Sequence, residues 1–369
     1  MTIDYTSRKD ALISNLKEQA VDAALITDPS NIYYMTGFFA DPHERYMSLF
    51  IDVESKETHL FLPALDKDAA EVADADHIIP ISDEEDPFAL IKATIKSDVK
   101  TMGIETNVVT VAHHNGLKSV FPEARFTDIQ EALNLQRTFK SREDVDGMKE
   151  AVRIIETVLK EGLKTIKAGM TEAQLVAQFE YLMKVHGAAG PSFSTMVLAG
   201  EKAALPHGTP GDRTLENGDF LLIDFGVITH DRYCSDITRT FIIGEATDKQ
   251  NDIYNIVKAA TEAGVDAVKA GVPLKEFDIA ARSVIESHGY GEYFNNRVGH
   301  GLGIEVHEAP SIHHLNEDVA KPGMLFTIEP GIYIPGYGGV RIEEEVYINE
   351  AGEAEVLTTF PTELQTIKI

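Results

Sequence analysis

The sequence predicts two domains that both mix helix and strand: an α/β layer domain over residues 1–138 and an α+β domain over residues 139–369. Three observations predict this. The chain has 369 residues, more than one hydrophobic core ordinarily spans. Its first part alternates strand-like and helix-like segments, the pattern of an α/β layer. A long helix-periodic segment then opens a second part in which apolar strands carry polar residues where hydrocarbon belongs.

Taken in order, Ala11, Leu12, Leu16 and Ala20 place one apolar side on a helix over Ser7–Ala20. Strands are expected at Val21–Ile26, Ser48–Val53, Thr58–Leu62, Ile78–Ile81, Thr101–Ile104 and Arg125–Thr127, with helices at Pro87–Ile95 and Thr110–Val120. The tyrosine-rich stretch before the charged loop DPHER (41–45) reads as a further strand. Met148, Val152, Ile155, Val158 and Leu163 recur at helical spacing and predict a helix over Ser141–Lys167. The next helix, Thr171–His186, begins with a capping-box pair, Thr171 and Gln174. Helices at Asp248–Ala270 and Leu274–His288 follow, with strands at Phe220–Phe225, Thr238–Ile243, Leu325–Ile328 and Val340–Ile348.

The 33 Lys and Arg against 60 Asp and Glu give a net charge of −27. Such a balance argues against nucleic acid and anionic membrane as partners. The single cysteine, Cys234, allows no internal disulfide, which fits a reducing compartment; it reads as a small buried residue. The polar start carries no apolar signal region, and no run reaches the roughly 18 apolar residues of a membrane span. The expected location is the cytoplasm.

The misplaced polar residues are Asp224 in LLIDF, Asp236 before Ile237, His300 among glycines, Glu329 at the end of LFTIE, and Glu343 in VRIEEEV. Four of them have an ordinary alternative. Asp224 could be a turn residue, Asp236 a cap, Glu343 to Glu345 a solvated strand face, and His300 a structural hydrogen bonder. Together they are better explained by a pair of divalent cations. Carboxylates and imidazole suit such ions, and two ions about 3.5–4 Å apart can be bridged by carboxylates. Four carboxylates would then balance the charge of two ions, so that no buried charge stands alone.

The motifs ALPHG (204–208), IDFG (223–226), SDITRTF (235–241), VGHGLGIEVHE (298–308), TIEPG (327–331) and GGVRIEEEV (338–346) resemble those of the pita-bread metallopeptidases. Within that group the chain is most similar to the proline-specific members, Xaa-Pro dipeptidase (prolidase) of the lactic-acid-bacteria type and aminopeptidase P. DPSNIYYMTGF (28–38) resembles the start of creatinase- and prolidase-type chains, which separates it from methionine aminopeptidases.

The resemblance implies a creatinase/prolidase-like amino-terminal domain and a pita-bread catalytic domain. It implies two divalent ions, Mn²⁺ first with Co²⁺ or Zn²⁺ as options, held by Asp224, Asp236, His300, Glu329 and Glu343. Glu329 would double as general base and acid, and His207 and His307 would contact substrate near the scissile bond. Arg341 is expected to orient a carboxylate or contact substrate. His313 and His314 have no such support.

The expected reaction is hydrolysis of Xaa-Pro dipeptides, with cleavage of longer peptides by an aminopeptidase P as the alternative. A pita-bread domain used only for binding is disfavoured by the intact ligand set. A dipeptidase needs a cation for the substrate carboxylate: Arg297 is the first candidate, with His43 and Arg45 next and Asp41 shaping their loop. The resemblance also implies a homodimer, in which that loop could cap the partner's cleft.

Overall fold

In a computed structural model, which describes residues 3–369, the chain divides into two units, Met1–Gln136 and Arg137–Ile369. The first is organised by one mixed sheet. Its strands are β1 (Ala23–Ile26), β2 (Ser48–Asp52), β3 (Thr58–Pro63), β4 (His77–Ile81), β5 (Thr101–Ile104) and β6 (Arg125–Asp128), ordered β4-β3-β2-β1-β5-β6. β1, β2 and β3 pair antiparallel, and the outer pairings β3–β4, β1–β5 and β5–β6 are parallel. Leu25, Phe50, Phe61, Met102 and Leu117 fill one face.

The tyrosine-rich stretch is a helix, Pro29–Thr36, rather than a strand. Local chemistry decided this against β propensity. The Asp28 carboxylate accepts from the Ser30 and Asn31 backbone N–H groups, Pro29 opens the first turn, and Gly37 closes the last at φ 75°.

The second unit opens with helix Arg142–Gly162, capped by a reciprocal Ser141–Asp144 box. It ends five residues before the expected Lys167, giving way to a short 3₁₀ turn over Leu163–Thr165. Helix Glu172–Val185 starts with the expected Thr171–Gln174 box. Two sheets follow. One has the order 366–367, 237–243, 220–225, 196–199; the other runs 308–312, 299–301, 325–328, 344–348, 354–356.

Strand Phe220–Phe225 is covered on both faces. Leu221, Ile223 and Phe225 pack with Ile155, Val158 and Phe179 of the first two helices. Phe220 and Leu222 pack with Val257 and Phe277, from helices Asp248–Asp266 and Lys275–Ser287. Period two puts Asp224 on the side of Phe220 and Leu222.

The expected strand Val340–Ile348 is two strands. Gly338–Arg341 pairs with Gly331–Ile334, whereas Glu344–Ile348 belongs to the five-stranded sheet. The chain changes partners at Ile342–Glu343, where the Glu343 N–H donates to Thr238 O at 3.2 Å. The break hands Glu343 to the 237–243 strand of the other sheet.

Candidate metal centre

Four of the five polar residues predicted from sequence, Asp224, Asp236, His300 and Glu329, line a cavity of about 400 Å³, and the fifth, Glu343, lies beside Asp236 and His300. Strand register brings them there. Asp224 faces Thr238 across the 220–225/237–243 pair and Met196 on its other side. Two glycines make the close approaches possible. A Cβ on Gly226 would sit 1.9 Å from Ser235 O, and one on Gly299 would sit 1.8 Å from Thr327 O. IDFG and VGHG therefore carry glycine because backbones touch beside Asp224 and His300.

The His300 Nε2 lies 3.2 Å from Glu329 Oε1 and 3.7 Å from Asp236 Oδ2. Ligand atoms of Asp236, His300 and Glu343 all lie within 4.8 Å of one another. All three residues are buried, as is Asp224. Arg341 donates to Asp224 Oδ2, to Thr238 Oγ1 at 3.0 Å and to the Tyr333 hydroxyl at 2.8 Å. Thr238 Oγ1 in turn donates to Glu343 Oε2 at 2.9 Å. The Asp236 N–H donates to Glu345 Oε1 at 2.8 Å.

Burial raises Asp236 well above the usual carboxylate range, and Glu343, Asp224 and Glu329 add repulsion. Glu343 is raised for the same reasons. Asp224 is raised by burial, against the pull of Arg341. Glu329 differs: burial pushes it up, but His300, Arg341 and Thr327 outweigh burial and the net shift is down.

The cluster fits divalent ions. Two buried oxygens, Asp236 Oδ1 and Glu343 Oε1, have no hydrogen-bond partner among the described residues. An orphaned buried acceptor is costly, and carboxylate oxygens with an imidazole nitrogen form a donor set for first-row divalent metals.

The remaining predicted residues fall into three groups. His207, His307 and Arg297 line the cavity. The His307 ring stands edge-on to His300, with centroids 4.2 Å apart; partial enclosure and the neighbours His300 and Arg297 push it down to about 4. Arg297 is exposed and donates to Ser311 Oγ at 3.0 Å. Arg341 also reaches the cavity, but it is buried with its donors committed to Asp224, Thr238 and Tyr333. Asp41, His43 and Arg45 belong to the amino-terminal unit. There Arg45 forms a two-pronged bond to Asp83 (2.8 and 3.1 Å), and His43 Nδ1 stands 3.4 Å from Asp41.

Sequence reading missed Tyr333, Thr238, Glu345, Phe193, Met196 and Asn296. Tyr333, Phe193 and Met196 look like ordinary core residues in sequence. Glu345 looked like part of a solvated acidic face, yet Glu343, Glu344 and Glu345 are all buried. The signal available for Glu345 was its period-two relation to Glu343.

Residues 146–350 match the Metallopeptidase family M24, and residues 8–139 match the Creatinase/Prolidase N-terminal domain. The chain belongs to the M24 metallopeptidases, with a creatinase-type amino-terminal domain and the pita-bread catalytic fold. It is 41% identical to the Bacillus subtilis protein YkvY over 362 residues, 97% of this chain and 99% of that one. It is similar to an Xaa-Pro dipeptidase from Bacillus anthracis, at 32% identity and TM-score 0.91, with 98% of this chain and 100% of that one covered. It is similar as well to an X-Pro aminopeptidase from Thermotoga maritima, at 33% identity and TM-score 0.87, covering 98% and 100%. Among the described residues no helix is long and apolar enough to cross a membrane.

Proposed function

We propose that this metallopeptidase hydrolyses dipeptides with proline in second position, using two divalent ions held by Asp224, Asp236, His300, Glu329 and Glu343. The observation that carries the metal centre is the pair of orphaned buried oxygens, Asp236 Oδ1 and Glu343 Oε1, beside His300. Bound divalent ions would supply Lewis-acid polarisation of the scissile carbonyl and water activation.

The chain's own residues divide the remaining work. Glu329, lowered by His300 and Arg341, is ionised at neutral pH and serves in this reading to take a proton from the attacking water. It then returns that proton to the prolyl nitrogen as the bond breaks. Arg341 holds one Asp224 oxygen, and Glu345 holds the Asp236 backbone, so that both carboxylates keep their orientation. His207 and His307 flank the acyl side. The apolar wall of Phe193, Met196 and Pro206 accepts a proline ring, whose nitrogen has no hydrogen to satisfy.

Arg297 supports the dipeptide reading. It is an exposed cation on the cavity wall whose bond is to a hydroxyl, not to a carboxylate, so its charge is open to a substrate carboxylate. The segment from Asp41 to Arg45 is assigned, as a second element of this reading, to capping the cleft of a partner in a homodimer. His43 and Asp41 expose 72% and 68% of their side chains, whereas Arg45 is already engaged by Asp83.

The likeness to the Thermotoga maritima aminopeptidase favours the second reading, removal of a residue from longer Xaa-Pro peptides. Assays of Mn²⁺-loaded protein on an Xaa-Pro dipeptide and an Xaa-Pro-Yaa tripeptide separate the two. The dipeptidase reading expects cleavage of the dipeptide, little of the tripeptide, and a KM for the dipeptide raised about tenfold or more by R297A, from loss of one charge-assisted contact. Efficient tripeptide cleavage with an unchanged KM in R297A would favour the aminopeptidase.

A further inference from the structure

β3 and β4 are parallel neighbours, and their register sets His59 directly opposite His77. Residues opposite each other in a sheet project on the same face. The two imidazoles stack there, with centroids 4.5 Å apart and planes inclined by 18°. Glu57 precedes β3 by one residue and His59 by two, so the chain's alternation turns its carboxylate to the same side. Ligand atoms of Glu57, His59 and His77 all lie within 4.8 Å of one another.

Three further features distinguish this group from a chance surface pair. The His59 Nδ1 is enclosed and has no hydrogen-bond partner among the described residues. The inner flank of His59 rests on Phe50 and Phe61, with centroids 6.0 and 6.5 Å away, which gives the polar mouth an apolar backing. Lys56, the cation next to Glu57 in sequence, is paired with Asp10 at 2.7 Å. The neighbouring acid Asp76 does not compete for the group: it accepts from the Thr58 N–H and hydroxyl, both at 2.8 Å.

We infer that Glu57, His59 and His77 form a second metal site, in the amino-terminal unit, that takes one divalent ion of the Zn²⁺ class. Two imidazoles and a carboxylate make a three-residue set with one position left for water. Metal–ligand bonds of about 2.0–2.2 Å place the donors of a tetrahedral ion about 3.4 Å apart. Rotation of the exposed His77 and Glu57 side chains closes the present spacing without moving either strand. An ion there would clamp the edge strand β4 to β3, which their parallel pairing and intervening crossover otherwise hold through backbone bonds.

The test uses untagged, full-length protein stripped of metal, then dialysed against Zn²⁺, with bound zinc counted per chain. Wild type is expected to hold one equivalent more than H77A, and E57Q is expected to hold that equivalent more weakly. D236N is expected to keep it, because the catalytic cluster is separate. Hydrolysis with Mn²⁺ is expected to be equal in wild type, H77A and E57Q. Equal zinc content and affinity in wild type, H77A and E57Q would overturn the site, as would loss of the extra equivalent in D236N. His77 and Glu57 are exposed, so neither change disturbs the core.

Discussion

Asp236 and Glu343 are the residues most at odds with a metal-free interior. Each keeps one buried oxygen without a hydrogen-bond partner among the described residues, and each is raised by burial and by its neighbours' charge. A carboxyl raised in the folded state takes up its proton more tightly there than in the unfolded chain. Stability of the metal-free protein therefore falls as pH rises from the unfolded carboxyl range near 4 towards the raised folded value. D236N removes one of these charges. Urea unfolding of the metal-free variant should show a stability gain of about 1–3 kcal/mol at pH 7, shrinking towards zero near pH 4. The same change should abolish hydrolysis. A metal-free D236N chain less stable than wild type at pH 7 would contradict this description. These residues were legible in sequence because a carboxylate inside an apolar run needs a reason. Tyr333 and Met196 were not, since a tyrosine and a methionine in a strand look like core whether or not they line a cavity.

At the scale of elements, the site depends on how loops are anchored. The buried Glu172, at the start of helix Glu172–Val185, accepts from Ala199 N and Gly211 N, both at 2.9 Å, and pairs with Lys202. Those partners bracket the 200–211 segment that carries His207. E172Q keeps the shape and removes the charge that holds the segment's two ends. It should raise KM about three- to tenfold, the worth of one or two weakened hydrogen bonds, with kcat nearly unchanged because the metal cluster is untouched. Steady-state kinetics would show this, and a loss confined to kcat would speak against a positioning role. The elements that sequence patterning missed share a cause. The Pro29–Thr36 helix was set by Asp28 capping and Gly37, and the break at Ile342–Glu343 by a tertiary handover to Thr238. Neither leaves a hydrophobic period to read. Strand Phe220–Phe225, buried on both faces, is where the pattern and the structure coincide residue for residue.

For the whole molecule, the alternating first part and the long helix after residue 140 announce two units, and the structure divides at Gln136/Arg137. The pairing of distant segments could not be read from periodicity. Asp224, His300 and Glu343 come from three separate stretches, and only the register of two sheets brings them together. The net charge of −27 adds a long-range field that concentrates cations around the chain, in keeping with a centre loaded from dilute divalent metal. The most direct measurement is a titration of the chelator-stripped protein with Mn²⁺, reading bound ions and Xaa-Pro hydrolysis together. The dinuclear assignment predicts that activity appears as two ions bind per chain, and that D236N and E343Q bind fewer and stay inactive. Full hydrolysis by the stripped protein, or unchanged Mn²⁺ binding in both variants, would contradict it.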